Sequence, residues 1–506
     1  MRLTFVKSLT KQAIQFFPNK KTASWFNVVL RKTRTDAAME LWITWYWSAS
    51  QLSSAFSRKR TFLWFLLVLA GLSIREDLFG VTSIVRALSL KGKAYDSLLK
   101  FFHSDAVDLG KLHILWAKLA LRIFKCQLIG PYTVLLLDGL KVPKEGKKMP
   151  GVKSLHQGSQ NNSKAEYIMG HSLQCLSILV TGSAQSFAAV PLIAQIHEGL
   201  IWSNRDGKTL MDKAASLVTS IRDVIGNPVL IVADAYYANA PFLKLMISNG
   251  CQVVSRVRSN ASACYPAIQP EKRKRGRPAK YGKKIALQSL FEQTELFSSV
   301  TTSIYDEKEI PIRYYAIDLI WGRTKGLVRF ILVDHSTRGR VIFMCSDLSL
   351  DPLLIIKAYG YRFKIEVAFK SALHVIGVYA YHFWMKTMVP IRRFSGNQYM
   401  HKKSLKYRNS VKRKFNTYHI YVTAGCIAHG LILHLCMNHS ALVWKKFGTW
   451  MRTMKTHEAP SEFVAANALR RTLPEFIAGT PHEHPFRKFL IENSCSGQDG
   501  VLSLAG

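Results

Sequence analysis

Two short apolar runs in this sequence each end in an aspartate, and they constrain the fold more than any other feature. The first, TVLLLDG, covers residues 133–139, and the second, PVLIVAD, covers residues 228–234. Runs that are rich in leucine or β-branched residues and bounded by Gly or Pro are typical of strands covered on both faces. We therefore predict an α/β protein in which Asp138 and Asp234 emerge at the ends of buried strands.

These aspartates need a partner, because a buried and unpaired carboxylate is costly. If the strands are neighbours, a hard divalent cation such as Mg²⁺ is the natural partner, since it takes one or two carboxylates and leaves room for phosphate oxygens. A third acid, Glu366, follows within a segment whose apolar residues recur at helical spacing. Three acids in this arrangement predict metal-dependent phosphoryl transfer.

The charge balance indicates which molecule would carry the phosphates. Lys and Arg number 70 against 32 Asp and Glu, which gives a formal net charge of +38. A field of this sign concentrates polyanions and favours counterion release on DNA or RNA. A basic surface on a membrane-associated or ribosome-associated protein is the alternative. The cations lie in several separate tracts, which favours nucleic acid.

Length and hydropathy predict a large protein of roughly two to four domains, because the chain has 506 residues and 48% of them are hydrophobic. The longest largely apolar run, residues 62–74, would span about 20 Å as a helix, short of the roughly 30 Å hydrocarbon core of a bilayer. We predict a core helix there and no membrane partner. Residues 1–34 carry eight Lys or Arg and no acid, which fits a DNA-contacting arm better than a transit peptide.

Eight cysteines are scattered without any C-x-x-C pair, so neither a zinc ribbon nor a disulfide framework is predicted. The densest Cys and His group lies in one apolar stretch and comprises Cys426, His429, His434, Cys436 and His439. Their spacing does not keep to one face of a helix. A core helix is the preferred interpretation, and a metal site is the alternative.

The first two regions of the chain differ in character. Residues 1–125 look helical, and the segments 80–88 and 95–102 are compatible with a DNA-binding helix-turn-helix or with any other helical hairpin. Residues 126–260 should form the first part of a central sheet with packed helices. In order, this second region is predicted to hold a basic loop over 141–164, a strand over 167–180, helices over 212–225 and 240–248, and a strand over 252–257 that ends near the DNA-binding candidates Arg256 and Arg258.

Residues 261–350 open with a basic tract and continue with strands. The segment Arg275-Gly276-Arg277-Pro278 resembles a minor-groove hook, in which an extended cationic segment follows the narrow groove of A·T-rich DNA. A solvated basic loop is the alternative. Four strand candidates, over 300–305, 313–320, 327–333 and 341–345, predict an antiparallel meander inserted before the third acid.

Residues 351–390 are predicted to be a helix that completes the core, with Tyr359, Arg362 and Glu366 on one face. The arginine could hold a phosphate while the glutamate holds metal, and an ordinary intrahelical Arg–Glu pair is the alternative.

Residues 391–506 are basic and then helical. In this last region Lys402 and Lys403 lie among aromatic residues, which suits a DNA-backbone groove with some base stacking, or else a solvated linker. Residues 418–437 should form a helix packed on the core.

The pattern Tyr359-x2-Arg362-x3-Glu366 resembles the C-terminal signature of bacterial insertion-sequence transposases of the DDE class. The similarity covers roughly residues 130–385 and includes IVADAYY, which surrounds Asp234. The full pattern of the family continues through six residues to a lysine. In this sequence that position is Leu373, and Lys370 lies nearby, one turn after Glu366.

The resemblance implies a ribonuclease-H-like core with a β-rich insertion before the third acid. It implies that Asp138, Asp234 and Glu366 hold two Mg²⁺ ions, with Mn²⁺ as a substitute, for in-line displacement at DNA phosphates. It also implies that Tyr359 and Arg362 contact the transposon end. Dimers or larger synaptic assemblies on terminal inverted repeats, with later capture of target DNA, would be expected in the bacterial cytoplasm at the nucleoid.

The sequence as a whole therefore predicts a DNA transposase that cleaves transposon ends and joins them to target DNA. Two alternatives stay open. One is an inactivated or domesticated transposase that only binds DNA, and the other is a structure-specific nuclease that cuts without joining. Joining of cut ends to a target in a purified reaction distinguishes the three.

Overall fold

The structure is a computed structural model, and it describes residues 37–158, 165–182, 186–205, 207–226, 228–268, 279–302, 310–322, 324, 326–449 and 451–495. The basic tract at residues 1–34 and the Arg275-Gly276-Arg277-Pro278 segment lie outside the described residues. The roles predicted for these two segments stay predictions.

Helices form the N-terminal part of the described chain and most of its C-terminal part. The predicted core helix at residues 62–74 is confirmed, and almost all of its residues are buried. The two helices expected on either side of Gly92 are also present, although their DNA-binding role stays a prediction. The helices are α1 (Ala37–Ser50), α2 (Lys59–Ile74), α3 (Gly80–Ala87), α4 (Lys93–Phe102), α5 (Leu109–Ile123), α6 (Leu210–Ile225), α7 (Ala240–Ser248), α8 (Pro352–Gly360), α9 (Phe363–Ser371), α10 (Leu405–Asn438), α11 (Ser440–Phe447), α12 (Glu462–Gly479) and α13 (Pro485–Asn493).

Strands occupy the middle of the chain and join into one large mixed sheet. Two short strands, β7 and β16, pair separately in parallel. The strands are β1 (Lys125–Cys126), β2 (Leu128–Ile129), β3 (Tyr132–Pro143), β4 (Lys153–His156), β5 (Tyr167–Thr181), β6 (Phe187–Ile196), β7 (Leu200–Ile201), β8 (Val229–Ala233), β9 (Cys251–Val257), β10 (Ser262–Pro266), β11 (Tyr281–Ala286), β12 (Ser298–Thr302), β13 (Ile310–Ile320), β14 (Leu327–His335), β15 (Gly339–Cys345) and β16 (Gln398–Tyr399).

The centre of the large sheet is β3, which pairs antiparallel with β5 on one side and parallel with β8 on the other. The sheet continues from β8 to a parallel β9 and then to an antiparallel β15. The predicted meander is confirmed, because β12 to β15 pair antiparallel in chain order. Through the β9–β15 pair, this meander extends the central sheet and does not form a separate one.

The predicted loop over residues 141–164 is wrong in two places. β3 continues through Asp138 and Gly139 to Pro143, because residues beyond Asp138 keep their pairing with β5. Residues 153–156 form β4, which also pairs with β5. Backbone hydrogen bonds to this long antiparallel neighbour therefore outweigh the turn propensity of the Gly and Pro residues.

The long helix α10 passes through the interior of the described chain. It packs on β6 and α2, which confirms the core helix predicted over residues 418–437, although the helix begins earlier, at Leu405. It is long and apolar enough to cross a membrane, yet its most apolar 18-residue window is entirely buried inside the protein. Among the described residues no group of three or more His, Cys, Asp or Glu side chains is arranged to hold an ion, which favours the core-helix interpretation of this segment.

A buried arginine connects the N-terminal helices to the segment that follows α9. The guanidinium of Arg75 donates to the carbonyl oxygens of Ile376 (from Nε at 3.0 Å) and Gly377 (2.9 Å). It also donates to the hydroxyls of Ser83 at 2.8 Å and Tyr421 at 3.2 Å. A buried charge is tolerated when its donors are satisfied in this way. Arg75 therefore anchors the C-terminal end of the helical segment that carries Glu366.

Candidate active site

The two aspartates lie side by side at the centre of the sheet. The parallel pairing of β3 with β8 runs to Leu137 opposite Ala233, so Asp138 and Asp234 each follow one residue later. Neighbouring strands are about 4.8 Å apart, which brings the two carboxylates to one place. The prediction that both aspartates end their strands is wrong for Asp138, which lies within β3, and is confirmed for Asp234.

Asp138 is held in a largely buried position, with 15% of its side chain exposed. Its Oδ1 accepts the backbone N–H of Gly139 at 2.8 Å, and its Oδ2 accepts from Arg362 Nη1 at 2.9 Å. Burial raises the pKa of Asp138 to about 6, and the negative charges of Asp234 and Glu366 add to this increase. Arg362 and the Gly139 N–H act in the opposite direction. The carboxyl of Asp138 therefore ionises less readily than that of an ordinary aspartate.

Asp234 lies in the turn that follows β8. Its Oδ1 accepts the backbone N–H of Tyr236 at 3.0 Å, and its carbonyl oxygen accepts the hydroxyl of Ser255 on β9 at 2.7 Å. Burial raises the pKa of Asp234, and Glu366 adds to the shift, while the Tyr236 N–H and the charges of Arg362 and Arg258 lower it. The sheet thus fixes the position of the second carboxylate through both β8 and β9.

The segment with the third acid is not one continuous helix. α8 ends at Gly360 and α9 begins at Phe363, with Arg362 in the junction as the N-cap residue. The two residues between the helices, Tyr361 and Arg362, keep αR backbone angles, and the guanidinium of Arg362 lies near the ring of Tyr359. The predicted shared face of Tyr359, Arg362 and Glu366 is therefore kept, and Arg362 Nη2 donates to Glu366 Oε1.

Arg362 is the residue that links the acids. One of its two terminal nitrogens donates to Asp138 and the other to Glu366, while its own side chain is 19% exposed. Glu366 is more open, with 54% of its side chain exposed. A planar guanidinium suits two carboxylates at once. Arg362 thus supplies one positive charge beside the three acids.

Tyr359 packs against the sheet, and its contact with the transposon end stays a prediction. It is 9% exposed, and its ring packs on Phe343 of β15 at a centroid distance of 4.6 Å. Its other neighbour is the guanidinium of Arg362, whose central carbon lies 5.9 Å from the ring centroid. In this position Tyr359 orients Arg362 and packs the sheet against α8.

The remaining DNA-binding candidates differ in their distance from the acids. Arg258 is exposed and close enough to Asp234 to lower the pKa of that residue, and Arg256 is exposed on β9. Lys402 and Lys403 are exposed near the start of α10, over the rings of Tyr399 and Tyr407 respectively. Arg275 and Arg277 are outside the described residues.

Gln174 is a site residue that sequence reasoning misses. It is buried on β5 opposite Gly139, and its Nε2 donates to the hydroxyl of Tyr237 at 2.5 Å and to the carbonyl oxygen of Asp138 at 3.3 Å. It therefore links β5 to Asp138 on β3 and to the turn that follows Asp234. A signal exists, because Gln174 is a large polar residue inside the largely apolar run at residues 173–180.

The chemistry of the three acids fits a hard divalent cation. Carboxylate oxygens are the ligands that Mg²⁺ and Mn²⁺ prefer, and adjacent carboxylates repel each other unless a cation is present. Among the described residues, however, no group of three or more candidate ligands is arranged to hold an ion, since Glu366 is turned to Arg362. The donor set therefore fits the ion, and Glu366 would have to leave Arg362 to complete it.

The position of the family lysine is Leu373, which lies in a π-helical turn, Ala372–Ile376, directly after α9. Its side chain is partly buried against the main hydrophobic core. Lys370, one turn after Glu366, is exposed. Leu373 therefore has a packing role, and Lys370 is the cation available near this end of the site.

Comparison with known families agrees with a phosphoryl-transfer site. The family model described as DDE superfamily endonuclease matches residues 51–307, just over half of the chain. The chain belongs to this family. The matched range includes both aspartates and ends before Glu366. No curated protein matches the chain. Membership supports an enzyme of the nuclease and phosphoryl-transfer type, with DNA as the substrate.

Proposed function

We propose that this protein is a DNA transposase, which cleaves transposon ends and joins them to target DNA. The observation that carries the proposal is the shared arginine: Arg362 brings Asp138 on β3 and Glu366 on α9 to one point, beside Asp234. The three acids match the Asp, Asp and Glu order of the transposases that the sequence resembles. A central β3 between antiparallel and parallel neighbours supports a ribonuclease-H-like core.

In this proposal Asp138, Asp234 and Glu366 hold two Mg²⁺ ions, or Mn²⁺ as a substitute. When bound, the ions would activate a water or a 3′-hydroxyl and stabilise the leaving oxygen. Arg362 is the residue that changes partners. A DNA phosphate would accept the hydrogen bonds that the guanidinium of Arg362 now donates to Asp138 and Glu366. Both carboxylates would then be free to bind metal.

The basic residues around the acids would orient the DNA. Arg258 is exposed and close enough to Asp234 to lower its pKa, and Arg256 lies two residues before it, so both would contact phosphates near the cleaved bond. Lys402 and Lys403 would contact the backbone farther along the duplex. Assembly as a dimer or a larger synaptic complex on terminal inverted repeats belongs to the same proposal.

A second candidate is an inactivated transposase that binds DNA without cutting it. Two observations favour it: position 373 is Leu where the family has Lys, and the described acids are not arranged to hold an ion. A nuclease that cuts without joining is the third reading.

A reaction with purified protein, Mg²⁺, end-labelled transposon DNA and a supercoiled target distinguishes the three. Cleaved and joined products support the transposase, cleavage alone supports the nuclease, and binding without cleavage supports the inactivated protein. The control is the Asp234→Asn variant, which should bind the end DNA as the unmodified protein does and produce no cleavage.

A further inference from the structure

A cleft of about 460 Å³ lies between the end of β3, the start of β5 and the segment 391–394. This volume is within the range of about 300–1,000 Å³ that is typical of small-ligand sites. The cleft begins at Pro143, five residues beyond Asp138 on the same strand. At about 3.4 Å per residue, this places it about 17 Å from the aspartate. The cleft is therefore separate from the carboxylate site.

The most unusual residue of the cleft is Phe394, which lies at its rim. Its φ of 62° is in the left-handed region, which is rare for a bulky residue, and its side chain is 60% exposed. This position is unfavourable for two reasons: the backbone conformation is strained, and the exposed ring gains little stabilisation from burial. Strain of this kind persists where surrounding contacts impose it, and it is frequent at ligand sites.

Hydrogen bonds on both sides hold the turn that presents Phe394. The backbone N–H and the hydroxyl of Ser395 both donate to the carbonyl oxygen of Arg392, at 3.2 Å and 2.6 Å. The N–H of Ser154 on β4 donates to the carbonyl oxygen of Ser395 at 2.8 Å. The N–H of Ile391 donates to the carbonyl oxygen of Lys147 at 2.8 Å. The backbone that presents the ring is thus held in place, which reduces the entropy cost of stacking on it.

The other side of the cleft supplies a second ring, and the rim supplies positive charge. Tyr167 on β5 is 48% exposed, and its ring contacts His156 edge-on at 5.2 Å. Arg393 lies with its guanidinium 5.2 Å from the centroid of Phe394. Exposed cations among the lining residues are Lys147, Arg392 and Arg393, against one acid, Glu145. This combination suits a planar, anionic ligand.

We propose that this cleft binds an unpaired nucleotide of single-stranded DNA, with its base stacked on Phe394 and its phosphate held by Arg392 and Arg393. Aromatic rings stack on bases of any sequence, but only where the base is free of its duplex neighbours. The inference rests on the proposed action on DNA.

The test is the affinity for a fluorescein-labelled oligothymidylate, measured by anisotropy in the presence of a chelator so that no cleavage occurs. Phe394→Ala should weaken this binding by about 5-fold to 150-fold, the effect of removing one stacking ring. Phe463→Ala is the matched control, because Phe463 is also 60% exposed and lies on α12. The control should stay within about 2-fold of the unmodified protein, as should the affinity of Phe394→Ala for duplex DNA. Equal affinities of the two variants for the oligothymidylate would overturn the proposal and indicate another occupant, such as a protein segment.

Salt titrations separate stacking from charge. Phe394→Ala should leave the slope of log affinity against log salt unchanged, because no phosphate contact is lost. Replacing Arg392 and Arg393 together by Ala should reduce the slope by about 1.4, since each contact to single-stranded DNA contributes about 0.7. A slope that falls in Phe394→Ala, or that does not fall in the arginine variant, would contradict the assignment of roles.

The Phe394→Gly variant tests whether a loss of folding explains the weaker oligothymidylate binding of Phe394→Ala. Glycine adopts a positive φ without strain, so the melting temperature of this variant should equal or exceed that of the unmodified protein. Its oligothymidylate binding should fall as in Phe394→Ala. Retained binding in this variant would overturn the proposal. Because the assay needs no metal and no cleavage, a failure here is distinct from a failure of the cleavage and joining reaction.

Discussion

At the scale of single residues, the site is an arrangement of three acids around one arginine. Asp138 and Glu366 both accept hydrogen bonds from Arg362, and the charge of Arg362 also lowers the pKa of Asp234. The sequence identifies the acids, because aspartates that interrupt buried apolar runs are rare without a role. It cannot identify the arginine as their shared partner, since Arg362 and Asp138 are 224 residues apart in the chain.

The raised pKa of Asp138 predicts how stability depends on pH without metal. The folded pKa is about 6 and the ordinary value is 3.8, so between these values the folded state holds more protons than the unfolded state. Stability contributed by the protonated form is therefore complete below about pH 4 and lost as pH rises to about 6. Asp138→Asn should remove this loss, which is worth on the order of 3 kcal/mol.

The measurement is urea unfolding from pH 4 to pH 7 in a chelator. The free energy of unfolding of Asp138→Asn minus that of the unmodified protein should increase across the window. Asp105→Asn, on the surface before α5, is the control and should show a flat difference. A flat difference for Asp138→Asn would mean that the carboxyl ionises normally.

Arg362→Lys tests the geometry of the shared arginine. Lysine keeps the charge but has no planar fork, so it cannot bond Asp138 and Glu366 in the same way. We expect a fall in cleavage at specific ends of roughly 10-fold or more, with bulk DNA affinity changed by less than about 3-fold. Arg86→Lys, which alters an exposed Arg–Asp pair, is the control and should change neither quantity. Unchanged specific cleavage in Arg362→Lys would reduce Arg362 to an ordinary helix pair with Glu366.

At the scale of elements, local patterns locate most helices and strands but not their ends. The strand around residues 133–137 is recognisable because its apolar run is covered on both faces. Its extension to Pro143 is not, because pairing with β5 is a long-range contact. The break between α8 and α9 has a local signal in Gly360, but the helical spacing of apolar residues continues across it. Arg362 lies in that break and donates to Asp138.

Substitution of Gln174 tests how much its hydrogen bonds to Asp138 and Tyr237 stabilise the protein. Gln174→Met keeps the size of the side chain but leaves the buried Tyr237 hydroxyl without this bond, which should cost about 1–3 kcal/mol in the free energy of unfolding. Adding Tyr237→Phe removes the stranded hydroxyl. The double variant should therefore be less destabilised than the sum of the two single variants. Additive effects in chemical unfolding would show that the Gln174–Tyr237 bond contributes nothing.

At the scale of the whole molecule, a net charge of +38 lies around a strongly apolar interior. The charge predicts nucleic acid as a partner from composition alone, and family membership supports this. Composition cannot predict which cations line the site: of the predicted residues, Arg258 lies next to Asp234, whereas Lys402 and Lys403 lie near the start of α10. The order of the strands in the sheet determines which cations lie near the acids, and no local sequence pattern predicts that order.

The Arg275-Gly276-Arg277-Pro278 segment should contribute DNA affinity that is biased toward A·T-rich sequence, because its cations suit a narrow minor groove. Replacing Arg275 and Arg277 together by Ala should reduce the salt slope on duplex DNA by up to about 1.8 and diminish the A·T preference. Replacing Lys283 and Lys284 on β11 is the control, which should reduce the slope without changing that preference. Titrations on A·T-rich and G·C-rich duplexes decide between a hook and a solvated loop.

The central claim is that Asp138, Asp234 and Glu366 act together in Mg²⁺-dependent cleavage of DNA. Glu366 tests it most directly, because it is exposed, bonded to Arg362 and outside the matched family range. The measurement is the rate of Mg²⁺-dependent cleavage of transposon-end DNA by Glu366→Gln, beside Glu295→Gln on the surface of the β-rich segment. We predict background cleavage with unchanged DNA binding for Glu366→Gln, and full cleavage for Glu295→Gln. Near-normal cleavage by Glu366→Gln would remove this residue from the site and contradict the three-acid account.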